Sequence, residues 1–541
     1  MKILWIDLNS SYAHASLALP AIHAQMKERR EIEWEVVSCT INENIGMIVK
    51  TAVKYNPDII AATTWLFNRE VLLHIICRLK ALLPHCKIVL GGPEFLGDNR
   101  DFLLSSPFID CIFKGEGEEN FPSWLKVWNT PEKWVEIKGL CFIDSPGNYI
   151  DSGIARVQNF EKLVPPEESK FFNWEKPFVQ LETTRGCFNT CAFCVSGGEK
   201  PVRTIDIDQI RKRLQTIQKH RIRNVRVLDR TFNYSNKRAL ELLALFREFP
   251  EIRFHLEIHP ALLTEELKTA LTDMPAGALH LEAGIQSLHE DVLVQSQRLG
   301  GLQQSLEGLK YLCSLTNMET HADLIAGLPL YRLAQIFDDV HTLARFGAGE
   351  IQLESLKVLP GTEMHKRAQE WGICFSPYPP YEVLATKDIS TEELQVARLL
   401  SRLLDGYYNT PVWQKVIRNL ILSAPGFLKE FLNFLICSDV IDKPLSIEKR
   451  GLLLYDFCKQ RYPEYTTMVS VAWITAGLSL KKAPAEKVIT KHQSAPASWN
   501  ILQGTYQESL KLCRLPRKSG NYWFGFETDT QTHTPVFIAE D

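Results

Sequence analysis

The sequence predicts an α/β protein. It has an N-terminal doubly wound, Rossmann-like domain, a central partial (β/α)6 TIM barrel and a mainly helical C-terminal domain. Three observations carry this reading. Residues 1–150 alternate short β-rich runs with amphipathic helical runs; residues 178–370 do so again; long helical runs dominate after Thr362. A length of 541 residues leaves room for three or four domains. The expected limits are 1–150, a linker at 151–177, 178–370 and 371–541.

In the first domain, 2–8, 34–39, 59–64, 87–90 and 111–113 read as strands, and 17–29, 46–55, 71–83 and 119–128 as helices. Ser145-Pro-Gly-Asn148 and Val164-Pro-Pro-Glu167 mark loops before the second domain. There, strands are expected near 178–183 and at 224–229, 253–258, 278–283, 319–325 and 350–358, with helices at 207–219, 237–249, 265–272 and 302–315. Further on, Cys374 to Glu382 is rich in Pro and Tyr, hence extended. Helices follow at 390–407, 411–422, 427–435, 447–461 and 465–476, then a polar linker at 481–498 and a terminal hairpin at 524–537.

Hydrophobic residues make up 45% and charged residues 23%, which excludes a mainly disordered chain. The net charge of −3 shows no basic excess, so nucleic acid is not an expected partner. Asp7 interrupts the opening apolar run, and Arg418, Lys429, Glu430 and Asp439 break the most apolar late stretch. No signal peptide or membrane span is expected, and the cytoplasm is the expected location.

Thirteen cysteines are present, and ten stand apart as small apolar residues. The other three, Cys187, Cys191 and Cys194, form C-x3-C-x2-C. Three thiolates from one short loop can hold three irons of a [4Fe–4S] cluster, leaving the fourth iron open. Structural zinc calls for four ligands in two separated pairs, and no second pair follows. At the C-terminal strand ends, where barrel active sites lie, stand Asp229-Arg230-Thr231-Phe232, Glu257, Gly284-Ile285-Gln286-Ser287, Gly327-Leu328-Pro329 and Leu359-Pro360-Gly361-Thr362.

The cysteine segment, with Phe193 before its third cysteine, resembles the radical S-adenosylmethionine (SAM) superfamily. The resemblance implies that the open iron chelates the SAM methionine and that one-electron cleavage gives a 5′-deoxyadenosyl radical. The strand-end motifs are similar to barrels of the coproporphyrinogen dehydrogenase group, which implies that Gln286, Ser287 and Arg298 sit near SAM. Glu257 is a candidate polar contact to SAM or an ordinary rim carboxylate. Asp229-Arg230-Thr231-Phe232 replaces the usual Gly-Gly-Glu, so Asp229 is either a cofactor contact or half of a structural ion pair.

Polar or glycine turns also end the strands of the first domain: Asn9-Ser10-Ser11-Tyr12 with His14 close by, Thr63-Thr64-Trp65, Gly91-Gly92-Pro93-Glu94 and Gly115-Glu116-Gly117-Glu118. The last two, in that order, resemble the cobalamin-binding domain found before many radical SAM barrels. A response-regulator-like or nucleotide-binding sheet is the alternative. The resemblance implies corrinoid contacts from Asn9, Ser10, Tyr12, Thr63, Thr64, Trp65, Gly91, Gly92, Pro93, Gly115 and Glu116. Asn9 occupies the slot of the family's cobalt-ligating histidine, so the lower axial position is expected to be empty or water-filled. His14 is either a second candidate ligand or a polar helix-start residue.

The whole chain resembles cobalamin-binding radical SAM proteins with a C-terminal domain of unknown function, a group similar to the anaerobic Mg-protoporphyrin monomethyl ester cyclase. The expected function is an oxygen-sensitive methyltransferase acting on an unactivated carbon. Cysteines 187, 191 and 194 would form the catalytic and metal centre, and a flavodoxin or ferredoxin would donate electrons. Cyclisation or rearrangement without methyl transfer, and a non-enzymatic corrinoid or iron–sulfur sensor, remain alternatives. The substrate, a small molecule or peptide, is expected between the two domains' strand ends under 374–381. There Tyr378 and Tyr381 either stack on it or order the loop.

Overall fold

A computed structural model describes residues 1–13, 16–485, 490–492, 511–516, 520–526 and 534–540. Two compact units emerge. One comprises 1–321, 325–332 and 355–394; the other comprises 322–324, 333–354 and 395–541.

The first sheet runs in the order 33–40, 2–9, 59–63, 87–91, 111–113, 140–143, 149–151. Its first five strands pair in parallel, and Leu140–Ile143 and Tyr149–Asp151 add an antiparallel edge that the sequence pattern did not reveal. Strand Ile59–Thr63 is buried at every position, as a parallel strand covered on both faces must be. Side chains alternate between two cores. Leu4, Ile6, Ile60, Ile88 and Leu90 face one, while Ile3, Trp5, Ala61 and Val89 join Phe121, Trp124 and Trp134 on the other. The order reverses at Lys2–Asn9, the switch point beside which doubly wound sheets bind ligands.

The second sheet has six strands in the order 350–355, 319–326, 279–286, 253–258, 224–227, 179–181. Spatial order here follows chain order, which is the winding of a barrel wall. Strands 179–181, 224–227, 253–258 and 279–286 pair in parallel. Their connecting helices start where local chemistry dictates. Asp206 caps Ile207–Lys219, Ser235 caps Asn236–Phe246 and Thr264 caps Glu265–Thr272, each accepting a backbone N–H of the first turn. Helix 207–219 buries Ile210, Arg213, Leu214 and Ile217, one face at helical spacing. Helix Leu333–Phe346, absent from the sequence reading, buries Ile336, Phe337, Val340 and Leu343.

The other unit contains Pro411–Ser423, Phe427–Cys437, Ile447–Arg461 and Thr466–Thr475. Gly451 lets its helix meet two others, since a Cβ there would lie 2.5 Å from the Trp413 ring and 2.9 Å from that of Trp473. The expected terminal hairpin extends beyond 524–537 at both ends and gains a further strand. Lys511–Pro516 pairs with Asn521–Phe526, which pairs in turn with Phe537–Glu540. Most of the expected linker at 481–498, and residues 527–533 of that hairpin, lie outside the described residues. Among the described residues no helix is long and apolar enough to cross a membrane.

Candidate active site

The cysteine loop leaves the sheet after Val179–Leu181 and folds back on itself. Gly186, at φ +97°, makes the turn; a Cβ there would sit 2.7 Å from the Glu199 carbonyl. The backbone is pinned throughout. Cys187 N–H donates to Glu199 O (3.0 Å), Ala192 N–H to Ser296 O (2.9 Å), Met364 N–H to Ala192 O (2.8 Å) and Gly198 N–H to Asn189 O (2.8 Å). Asn189, buried between the first two cysteines, accepts from the Thr190 N–H (2.8 Å) and the Leu299 N–H (2.9 Å) through one oxygen. A loop fixed by its backbone leaves the thiols as the adjustable groups. Cys187 and Cys191 are buried and Cys194 is partly exposed. Burial pushes the thiols of Cys191 and Cys194 up; at Cys191 the Arg298 guanidinium opposes this, and the thiols raise one another. Coordination by iron would release the protons that burial retains.

Arg298 joins this loop to the fourth barrel strand. One nitrogen lies 3.5 Å from Cys191 Sγ and the other donates to the Gly284 carbonyl. Gly284 leaves open a space that a Cβ could not share with Gln286 Nε2, 2.6 Å from that position. Gln286 itself has φ +73°, and its Oε1 is buried with no hydrogen-bond partner. An orphaned amide oxygen on a strained backbone, in a strand that Arg298 links to Cys191, fits a polar ligand such as SAM. Ser287 is buried, its Oγ accepting from the His289 N–H (3.2 Å), and Phe193 is half-buried. Glu257 is also half-buried, and its carbonyl accepts from Phe232 N–H (2.7 Å).

The sheet's two faces differ. Val225, Val227, Phe254, Leu256, Leu279 and Leu281 are buried. The alternate residues are Arg226, His255, Glu257, His280 and Glu282, aligned by register. His255 Nε2 lies 2.8 Å from Glu282 Oε2, and the His255 and His280 rings stack at 4.7 Å. Bulky apolar side chains normally fill a barrel interior; this face is polar instead.

Asp229 is held by the first barrel strand. Its carboxylate accepts from Thr183 N–H (2.8 Å), Thr184 N–H (2.9 Å) and the Thr183 hydroxyl, so it ties two strand ends together. Burial raises its pKa while those donors oppose the shift. No ion pair with Arg230 is needed to explain it.

In the first domain, the 63–65 and 91–93 turns lie side by side, with Thr64 N–H donating to Gly91 O (2.7 Å). Thr64 is fully buried, and its hydroxyl has no partner. That orphan is the residue feature that fits a large polar ligand here. Trp65 stacks on Phe67 at 6.3 Å, and Pro93 opens the short turn Pro93–Phe95. Asn9 turns its amide to the Asp7 carboxylate (2.9 Å), while Asp7, raised by burial, also accepts from Ser38 (3.4 Å). Asn9 and Tyr12, with Phe171, Phe172 and Lys176, line a cavity of about 220 Å³. Ser10 is half-buried and Tyr12 is 74% exposed, while His14 lies outside the described residues.

Gly115 and Glu116 are engaged by the rest of the protein. Gly115, at φ +103°, bridges Ala155, and a Cβ there would strike the Ala155 carbonyl at 2.3 Å. Glu116 holds Arg203 through two contacts (2.6 and 2.9 Å). This turn binds the barrel rather than lining an open crevice.

Sequence reasoning missed two further groups. Asn68, fully buried, staples two strand ends by donating to Leu8 O (2.9 Å) and Thr63 O (3.1 Å) and accepting from Trp65 N–H (2.8 Å). Asn68→Ala would strand two buried carbonyls, at about 1–3 kcal/mol each before relaxation, and the part-buried Trp65 N–H. A clear drop in the thermal midpoint is expected, and an unchanged melting curve would remove Asn68 from this role. The second group is Glu94, which accepts from the Tyr381 hydroxyl (2.6 Å) and pairs with Arg69 (3.3 Å); Arg69 also meets Tyr381. Tyr381 thus orders its loop and is only 3% exposed, whereas Tyr378 is 70% exposed. Close by, a Cβ on Gly361 would lie 2.9 Å from Gly97 N, so the Pro360-Gly361 turn abuts the turn that follows Gly91-Gly92-Pro93. Only the run of Tyr and Pro at 378–381 marked this docking in the sequence.

Known proteins fit this arrangement. Residues 181–340 match the radical SAM superfamily model, and residues 6–125 match the B12 binding domain. The chain is therefore a radical SAM protein with an N-terminal B12-binding domain. Residues 369–472 match a third model, a protein of unknown function, DUF4080, so the chain carries this C-terminal domain after its radical SAM and B12-binding domains. It is 22% identical over 405 residues to an uncharacterized methyltransferase, PH0819, of Pyrococcus horikoshii, covering 70% of this chain and 84% of that one. It is 20% identical over 377 residues to the cobalamin-dependent radical SAM methyltransferase TokK of Streptomyces tokunonensis, covering 63% of this chain and only 53% of that protein. The solved structure of the cobalamin-dependent SAM radical enzyme OxsB, with aqua-cobalamin and SAM bound, shares the fold. Its TM-score is 0.62 at 15% identity, covering 87% of this chain and 80% of that one.

Proposed function

We propose that this protein is a cobalamin-dependent radical SAM methyltransferase acting on an unactivated carbon of a small molecule or peptide. The observation that carries the reading is the pinned three-cysteine loop with Arg298 between Cys191 and Gly284, in a chain that also has a B12-binding domain. When bound, the cluster and SAM supply a carbon radical and the corrinoid supplies a methyl group. The residues prepare for this separately. Cys187, Cys191 and Cys194 hold the iron, while Gln286, Ser287, Arg298, Glu257 and Phe193 bind and orient SAM. Thr63, Thr64, Trp65, Gly91, Gly92 and Pro93, with Asn9, Ser10 and Tyr12, hold the corrinoid. The 374–381 segment, anchored by Tyr381, excludes water from the reacting carbon. The polar face carrying His255 and Glu282 favours a substrate with hydroxyl, amide or amino groups. A flavodoxin- or ferredoxin-like protein supplies the electron, and the cytoplasm suits its reduced state.

The test is anaerobic incubation of the reconstituted chain with labelled SAM and candidate substrates. 5′-Deoxyadenosine and a product one CH2 unit heavier are expected. A product without the label, or no 5′-deoxyadenosine at all, would overturn the reading. The cobalt should also lack a protein imidazole below it, because Asn9 occupies that slot and is bound to Asp7. Nitrogen splitting in the Co(II) electron paramagnetic resonance spectrum, lost in His14→Ala, would make His14 the ligand instead.

A further inference from the structure

The Gly115–Glu118 turn of the B12-binding domain grips both strands that bracket the cysteine loop. Thr184–Arg185 before the loop pairs antiparallel with Arg203–Thr204 after it. Arg185 binds Glu118 (2.7 Å) and Glu182 (2.7 Å) and lies 3.5 Å from Glu116. Arg203 binds Glu116 (2.6 Å) and Glu199 (3.0 Å) and donates to Val157 O (2.6 Å). Glu116 also accepts from Val157 N–H (2.6 Å), and Arg156 binds Glu199 (2.9 Å). The decisive link is Glu199. Its side chain is held by Arg203 and Arg156, while its carbonyl accepts the Cys187 N–H at 3.0 Å. A continuous chain thus runs from Glu116 through Arg203 and Glu199 to the backbone of the first cysteine. Glu116 and Arg203 are each only 14% exposed, and both arginines lie over the Phe160 ring, at 5.2 and 5.6 Å. Two-point arginine–carboxylate contacts fix direction as well as distance, so this network sets an angle and not merely a separation.

We propose that Glu116 is a positioning residue for the cysteine loop, acting from the B12-binding domain through Arg203 and Glu199. The inference rests on the reading that this loop holds a SAM-binding cluster. Glu116 makes that cluster's geometry depend on the neighbouring domain, so the two cofactors are held in register by charge pairs and not only by a linker.

Glu116→Gln tests this in the full-length chain, reconstituted anaerobically with iron and sulfide and loaded with aquacobalamin. Iron content, corrinoid absorbance and the spectrum of the reduced cluster with and without SAM are compared with wild type. The variant should keep about four irons and its corrinoid. The SAM-induced change in the cluster spectrum should weaken, and 5′-deoxyadenosine formation should fall about tenfold. Arg203→Met should show the same defect, and the double variant should be no worse than either single one, because all three break one chain of contacts. An unchanged SAM response in Glu116→Gln would overturn the proposal. So would joint loss of iron and corrinoid from both single variants, which would make the pair general structural support. A wild-type protein that gains iron but shows no SAM response would overturn the cofactor reading itself.

Discussion

Cys191→Ala is expected to lose the iron–sulfur chromophore and all 5′-deoxyadenosine formation while the chain stays folded. The loop's shape does not depend on that thiol. Ala192 N–H to Ser296 O, Met364 N–H to Ala192 O and the Thr190 and Leu299 N–H groups donating to Asn189 survive the change, and Asn189 loses only its 3.4 Å contact with the thiol. Removing one buried sulfur atom costs about 1 kcal/mol, the scale of a single-atom core truncation. Function loses far more, because two thiolates cannot hold a cluster that needs three and leave its fourth iron free for SAM. Arg298 would also lose its contact with the sulfur, 3.5 Å away, leaving only the Gly284 carbonyl. Iron analysis and optical absorbance check the result. Retention of about four irons per chain after Cys187, Cys191 and Cys194 are all replaced would place the metal elsewhere.

What the sequence disclosed, and what it concealed, follows from the range of each interaction. Local signals were legible. The alternation in Leu279–Gln286 reads directly as buried and half-buried positions, and the cysteine spacing marks its own loop. Element ends were less so. Leu17 to Arg29 reads as one helix, yet it is helical only over Ala18–Ala24. Contacts distant in sequence gave the weakest signal. Nothing near Glu116 announces Arg203, 87 residues away, and nothing near Tyr381 announces Glu94, 287 residues away. Asp229 misled for the same reason. A carboxylate at a strand end suits a ligand, but Thr183 and Thr184, 46 and 45 residues earlier, already occupy it. The Gly-Glu-Gly-Glu turn gave no sign of its partners, because its carboxylates bind barrel arginines that lie in another part of the chain.

Gly92→Ala should abolish corrinoid retention by forcing the main chain apart, whereas Gly91→Ala should leave the two turns in place. The two glycines are neighbours, but their surroundings differ. A Cβ on Gly91 would rest 3.6 Å from Phe113, an ordinary contact. On Gly92 it would lie 2.4 Å from Thr64 O and 2.9 Å from Thr64 N, with φ at +111°, a region that side chains avoid. Backbone strain alone costs about 1–3 kcal/mol. Neither clashing atom can turn aside, because both belong to the main chain of the neighbouring turn. The two turns must therefore separate, which displaces Thr64, whose buried hydroxyl has no partner and which we propose contacts the corrinoid. The disturbance reaches Pro93 and Glu94 next, and through Glu94 the hydroxyl of Tyr381. The cysteine loop is pinned by other contacts, so iron content should stay near wild type. Absorbance of the corrinoid after gel filtration, read beside iron analysis, separates the effects. A Gly92→Ala protein that keeps a full complement of corrinoid would show that the 91–93 turn does not hold it, and the B12-binding crevice would then have to be sought along the Asn9 to Tyr12 edge of the sheet.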